Sequence, residues 1–368
     1  MKRRIKPALY TVCSALICFG AGFGIIAQAG ESLEGAKSAV ESCARVLIPG
    51  IFPFMVITQF ALYTGAAQAF ALPFGTVTEK VYKLPKVCSG VIILSLIGGY
   101  PVGAKMISTL YKQRKITQKQ ASRMALFCFG AGPAFVMGTV GAGILKNSGI
   151  GIIIFVSQLS ASIITGLCVS VFCKEKPVNR AYRANNKSFG DAFTLAVKDA
   201  AAAVINMCAF VIFFGSVMSI IKFPVKNIEM QFHLNNNTLM SVAAALCEVT
   251  NACVNVDKSQ YPVLYAAFAV GFGGLCVHCQ IFSLLEGIKV NKAIFLALRV
   301  VQGILSALFT YILCSFFPFE AEAAYIFGNE AYLHSGNNIF SAVTLIIMCV
   351  VFVVSQHEKR EKTTKRES

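Results

Sequence analysis

Charge is what this chain has least of. Charged residues make up 14% of it, against about 25% in an ordinary soluble domain. Hydrophobic residues make up 56% and the mean hydropathy is +0.67. A 368-residue chain could hold two soluble domains by length. It could equally supply about eight helices of roughly 20 apolar residues, each long enough for a bilayer core. The apolar blocks described below select the membrane reading. The chain also lacks a Gly-x-x-x-x-Gly-Lys-Ser/Thr loop, so it carries no ATP-binding signature of its own. His-Glu-x-x-His, Gly-x-Ser-x-Gly and paired intramembrane carboxylates at catalytic spacing are missing too. No extramembrane stretch is long enough for a soluble catalytic domain, so an enzyme is not expected. Neither a cofactor nor nucleic acid is expected as a partner.

Fourteen cysteines are present, most of them single residues within apolar runs, where they act as small hydrophobes. Cys276-Val277-His278-Cys279 has metal-ligand residue types but no second ligand pair nearby, so no metal site is expected. The net charge of +16 comes from 33 Lys and Arg against 17 Asp and Glu. In a membrane protein such an excess reports orientation, because cytoplasmic loops collect Lys and Arg.

Lys2, Arg3, Arg4 and Lys6 precede an apolar run from Pro7 to Ala29. A signal peptide ending near Ala27-Gln28-Ala29 would share this pattern. The run exceeds the usual 7–15-residue apolar core of a signal peptide, and an uncleaved first span is expected. Glu31–Arg45 then reads as a short surface helix leading into a span over Val46–Phe70. The other long apolar stretches are Met124–Leu145, Ile150–Cys173, Ala196–Ile221, Pro262–Leu285, Ala293–Phe317 and Ile339–Val354. Two shorter blocks, Val87–Tyr111 and Leu239–Val256, are read as re-entrant hairpins. With that choice most of the 33 Lys and Arg fall on the cytoplasmic side, including the run Lys112–Arg123, which contains no acidic residue.

The expected protein is thus an all-helical integral membrane protein with about eight spans and two re-entrant hairpins. It is multi-pass in the cytoplasmic membrane, with both termini in the cytoplasm. From residue 31 the order is span, hairpin, span, span, and from 191 the same order repeats from the opposite side. Two inverted repeats follow, each with a Gly-rich broken helix, which is a transporter design. The segments are 1–30 (signal-anchor or first span), 31–173 (first repeat, hairpin 87–111) and 174–190 (basic linker). After them come 191–318 (second repeat, hairpin 239–256), 319–355 (outer loop and last span) and 356–368 (basic tail).

Particular strings carry a family resemblance. Phe52-Pro53-Phe54, Gly99-Tyr100-Pro101-Val102-Gly103-Ala104-Lys105 and Gly132-Pro133-Ala134-Phe135 look like the first half of YlbJ-type sporulation integral membrane proteins. Those proteins belong to the wider nucleoside-recognition (Gate) domain family. Glu248-Val249-Thr250-Asn251 and Gly273-Gly274 through His278 to Gln280 look like that family's second half. The resemblance implies a multi-pass protein of endospore-forming bacteria, needed for the spore cortex, with no settled biochemical activity. One departure is Cys128-Phe129-Gly130-Ala131, where the pattern has polar Asn and Ser. It removes side-chain hydrogen bonding from the first break.

An ionisable residue inside a span costs about 2.5–3.5 kcal/mol on insertion scales, so each one needs a reason. Lys105 and Glu248 occupy matching hairpin positions and are expected to meet tip to tip, pairing or sharing a ligand. Snorkelling of Lys105 to the interface is the alternative. Thr250 and Asn251 would offer polar contacts or cap a turn. Tyr100 and Pro101 shape the first tip. Gly130, Gly132, Pro133, Gly273 and Gly274 mark helix breaks or close packing. His278 and Gln280 lie on different helix faces, one for a cavity and one for an interhelical bond. Arg299, one turn from Gln302, needs an acidic or carbonyl partner. The expected function is movement of a small polar solute by alternating access during spore formation. The alternative is a scaffold for cortex-assembly membrane partners. A homo-oligomer is compatible with either.

Overall fold

A computed structural model describes residues 2–173, 188–232, 238–254 and 261–317. The last apolar block, Ile339–Val354, lies outside them, as do the tail, most of the basic linker and the final residues of the second expected hairpin.

Every regular element among the described residues is helical. The first long helix, α1 (Lys2–Ala27), turns by 96° at Gln28 into α2 (Ala29–Ser42). A π-turn over Cys43–Leu47 carries α2 into α3 (Ile48–Thr64). The expected span Val46–Phe70 is divided, because Gly65 takes φ +84° and ends α3 before α4 (Ala66–Lys80). The segment expected to lie on the surface, Glu31–Arg45, instead packs along α9 (Phe189–Gln231). There Gly35 and Gly215 bring the two backbones into contact.

The first expected hairpin forms as α5 (Cys88–Gly98) and α6 (Tyr100–Lys112). Gly103 lies against Ser95, so close that a Cβ on it would stand 2.8 Å from the serine Cβ. In one straight helix those residues would be about 12 Å apart along the axis, so the chain folds back at Gly99. Then come α7 (Gln118–Met124), an irregular stretch over 125–133, and a π-helix over Ala134–Ile144. The apolar stretch Met124–Leu145 is therefore broken in its middle. Its break coincides with Gly130-Ala131-Gly132-Pro133, where proline cannot donate and glycine does not favour helix.

After α8 (Ser148–Val171) and α9, two more pairs of short helices follow. The short α10 (Thr238–Cys247) and α11 (Val249–Val254) are separated at Glu248. Next, α12 (Pro262–Phe272) and α13 (Gly274–Leu284) are separated at Gly273, and α14 (Lys292–Phe316) follows.

Among the described residues, four helical segments are long and apolar enough to cross a membrane, or up to five if the bent pair at Gln28 counts as one span. The four are Ser148–Val171, Phe189–Gln231, Pro262–Leu284 and Lys292–Phe316. The surface agrees with them. Phe23 (74%) and Ile205 (70%) are exposed, while Arg299 (1%) and Glu248 (3%) are buried. Apolar residues face out and polar ones face in, as a lipid environment requires. The chain is an integral membrane protein.

Candidate functional site

The site is made by chain breaks, and each break must find partners for freed backbone groups that no water reaches. The first tip is Gly99, whose φ of +94° only glycine adopts without strain. Tyr100 and Pro101 open α6, and proline in the first turn loses no helical bond. The Tyr100 hydroxyl donates to the Val270 carbonyl of α12, and its ring lies 5.6 Å from the Arg299 guanidinium.

The second tip is capped by its own acid. Glu248 receives the backbone N–H groups of Thr250 at 2.9 Å and Asn251 at 2.7 Å. Two N–H donors on one carboxylate make strong, charge-assisted bonds. Turn capping, foreseen for Thr250 and Asn251, thus falls to Glu248. Glu229 serves the start of α10 in the same way, accepting from Leu239 at 2.7 Å and Met240 at 3.1 Å.

Each tip abuts a break in its own half. A Cβ on Gly99 would lie 3.2 Å from the Gly132 nitrogen. A Cβ on Gly274 would lie 3.1 Å from the Cys247 carbonyl and the Glu248 nitrogen. The breaks themselves are held from the last long helix of each half. In the first, Gln158 on α8 accepts from the Ala131 N–H at 2.9 Å and donates to its carbonyl at 2.6 Å. In the second, Arg299 on α14 donates to Phe272 at 3.0 Å and Gly271 at 2.6 Å. Its guanidinium also reaches the Phe129 carbonyl across the molecule at 3.0 Å, and the Gln302 side chain at 2.5 Å. His278 lies 2.9 Å from the Phe272 carbonyl. Among the described residues no group of three His, Cys, Asp or Glu could hold a metal.

A cavity of about 140 Å³ separates the two tips. Gly99, Tyr100 and Pro101 line it from one side, Glu248 and Thr250 from the other. Gly132, Pro133 and Gln280 complete its polar and backbone edge, while Phe54, Phe135 and Met207 are among its apolar walls. A second cavity, of about 290 Å³, shares Val211, Glu248 and Thr250 with the first. Glu31, Glu34, Asn251 and Lys222 make this outer vestibule polar.

The structure therefore gathers Tyr100, Pro101, Gly132, Pro133, Glu248, Thr250 and Gln280 at one cavity, with Asn251 in the vestibule. Gly130, Gly273, Gly274 and His278 stand behind it as parts of the breaks. Lys105 is elsewhere. Its ammonium lies 3.3 Å from Asp199 on α9, whose carboxylate also accepts from the Tyr63 hydroxyl. The expected pairing of Lys105 with Glu248 is replaced by this one. Lys105 lies beyond the first turn of α6, on the face packed toward α9, so its charge cannot reach the tip.

Sequence reasoning passed over Asp199, Tyr63, Gln158 and Glu229. A signal for Gln158 existed. It stands 27 residues after Ala131, as Arg299 stands 27 after Phe272. Outside the spans, Lys112 pairs with Glu286 at 2.7 Å, and Ser122 donates to the Lys289 carbonyl at 2.5 Å. The basic run thus ties together loops of both halves. The Lys112 ammonium holds the Glu286 carboxyl below the usual carboxylate range, and burial pulls the Lys115 ammonium below its ordinary value.

The chain is similar to the sporulation integral membrane protein YlbJ of Bacillus subtilis (strain 168). The two are 19% identical over 370 residues, covering 89% of this chain and 91% of that protein. The likeness runs nearly end to end. No family model matches the chain, and no solved structure matches it.

Proposed function

We propose that the chain carries a small polar solute across the cytoplasmic membrane during spore formation, in support of cortex assembly. The carrying observation is the cavity between two opposed tips, each seated on a helix break in its own half. Broken helices that meet around a buried site are the working parts of alternating-access carriers. The matched spacing of Gln158 and Arg299 from the breaks supports two repeats, inverted with respect to the bilayer, covering 31–173 and 191–318. About eight spans with both termini in the cytoplasm accord with the Lys and Arg bias of the loops. The sporulation role comes from the likeness to YlbJ. Kinship with nucleoside-recognition proteins rests on the quoted strings alone.

The test is the yield of heat-resistant spores when Glu248→Ala or Thr250→Val replaces the native residue, with protein abundance measured in the same cells. Loss of spores at normal abundance is expected. Normal spores from both variants would move the assignment to a scaffold that holds cortex-assembly partners.

A further inference from the structure

We propose that the cavity between the tips takes a ring-sized solute that is cationic, or neutral with a hydrogen-bond donor, and excludes anions. The inference rests on the transport-site reading and names the solute's class.

Size comes first. The cavity measures about 140 Å³, close to the roughly 150 Å³ of an engineered apolar cavity that accepts benzene. The walls provided by Phe54, Phe135, Met207 and Val277 suit one flat apolar body. The polar groups gather at the Glu248 tip, with Thr250 and Gln280 beside it. Each Glu248 oxygen already accepts one backbone N–H. The Thr250 and Asn251 side chains also bond this carboxylate, which offers about four lone-pair sites, so a donor on the solute takes the place of one of these two side-chain contacts.

Charge decides the class. Among the described residues that line the cavity, Glu248 is the sole charged side chain. The nearby cation, Arg299, gives its donors to Phe129, Gly271, Phe272 and Gln302, and is not part of the lining. Lys105 is held by Asp199. Two features favour an anion, the start of α6 at Tyr100 and the start of the π-helix at Ala134, and Pro101 and Pro133 each remove an N–H there. The approach has the same sign. The vestibule carries Glu31, Glu34 and Glu248 against Lys222. Such a surface concentrates cations and repels anions before they reach the cavity.

The experiment uses the full-length protein in detergent and three one-ring probes at fixed ionic strength: benzylammonium, benzyl alcohol and benzoate. Affinity is read by calorimetric titration. Benzylammonium should bind at least about tenfold tighter than benzoate. Glu248→Gln should bring benzylammonium to the level of benzyl alcohol while benzyl alcohol is retained. Ala134→Phe, which fills the cavity, should abolish binding of all three. Benzoate binding as tight as benzylammonium would overturn the inference and assign the polar end to the start of α6. So would a cation preference that survives Glu248→Gln, or binding that survives Ala134→Phe. Should Glu248→Gln fail to fold, the comparison of probes in the native protein and in Ala134→Phe decides alone. Proteoliposomes separate this from transport. Charge-selective binding with no flux of labelled benzylammonium would uphold the solute class and remove the carrier reading.

Discussion

Arg299 on α14 holds the carbonyl of Phe129 at 3.0 Å, across 170 positions of sequence. The same guanidinium holds Gly271 and Phe272. One side chain thus satisfies the broken backbone of both halves at once. That explains how a cation comes to be 1% exposed in a protein whose outer surface is apolar. Freed carbonyls without water are its counter-charges, and five guanidinium N–H groups in a fixed fork suit several of them.

Arg299→Leu should therefore be among the most damaging single changes. It takes this donor from three buried carbonyls, of which Phe272 keeps His278 and Phe129 keeps Ser162, and a buried group left unsatisfied costs about 1–3 kcal/mol. A loss on the order of 3–5 kcal/mol is expected, because the leucine recovers part of the packing. Arg299→Lys should fall between, since one ammonium cannot span the three carbonyls. Thermal unfolding in detergent checks the order native, Lys, Leu. A Leu variant as stable as the native protein would refute this account of the breaks.

Gly99→Ala tests the tip by geometry. The residue has φ +94°, and an added Cβ would stand 3.2 Å from the Gly132 nitrogen. Strain of this kind costs of order 1–3 kcal/mol. The nearby Ala134→Ser adds one hydroxyl with no backbone penalty and should be close to neutral. Loss of stability in the first and not the second, read from thermal midpoints, is the expected result. Equal midpoints would mean that the tip can shift without cost.

The first fold-back and the breaks were legible because glycine, proline and a shortened apolar block are local signals. Gly98-Gly99 before Tyr100-Pro101 marks a fold-back, and Glu248 inside a short apolar run marks a break. What could not be read was azimuth. Sequence placed Lys105 near the tip in depth, but helical phase and the packing of α6 on α9 gave it to Asp199. The need of Arg299 for a carbonyl or acidic partner was readable from its charge. Which carbonyls would serve was not, because they come from breaks in both halves. Gln158 was missed for a related reason, since a glutamine in an apolar helix has many neutral uses. Only the shared spacing of 27 residues distinguishes it.

The Lys112–Glu286 pair joins loops of the two halves at 2.7 Å, with both side chains more than half exposed. Water screens it, so Lys112→Ala should change stability by less than about 1 kcal/mol near neutral pH. Its pH dependence has a defined sign. The Glu286 carboxyl is held below its unfolded value, so the stabilisation is present above that value and lost as pH falls through the folded one. The difference between native protein and Lys112→Ala should vanish in acid and shrink with added salt. A difference that grows in acid would reverse the assignment.

Lys105 and Asp199 make a separate prediction, because they join α6 to α9 away from the cavity. Their side chains are 20% and 25% exposed, 3.3 Å apart, and Tyr63 on α3 donates to the same carboxylate. The Lys105 backbone carbonyl also accepts from Thr109, whose hydroxyl lies 3.4 Å from Gln59 on α3. The cluster closes three helices together on a side of the first tip that the vestibule does not reach. Lys105→Met and Asp199→Asn should each loosen it, and in the double variant their effects should be less than additive. A coupling of about 0.5–3 kcal/mol is the range for groups in direct contact. Lys105→Met with Glu248→Gln should instead be additive within about 0.5 kcal/mol, because the two residues have separate partners. Double-mutant cycles on thermal stability distinguish the cases. Coupling between Lys105 and Glu248 as large as that between Lys105 and Asp199 would restore the tip-to-tip charge pair. Its absence would leave the carboxylate at the cavity without a cation of the chain's own at the tip.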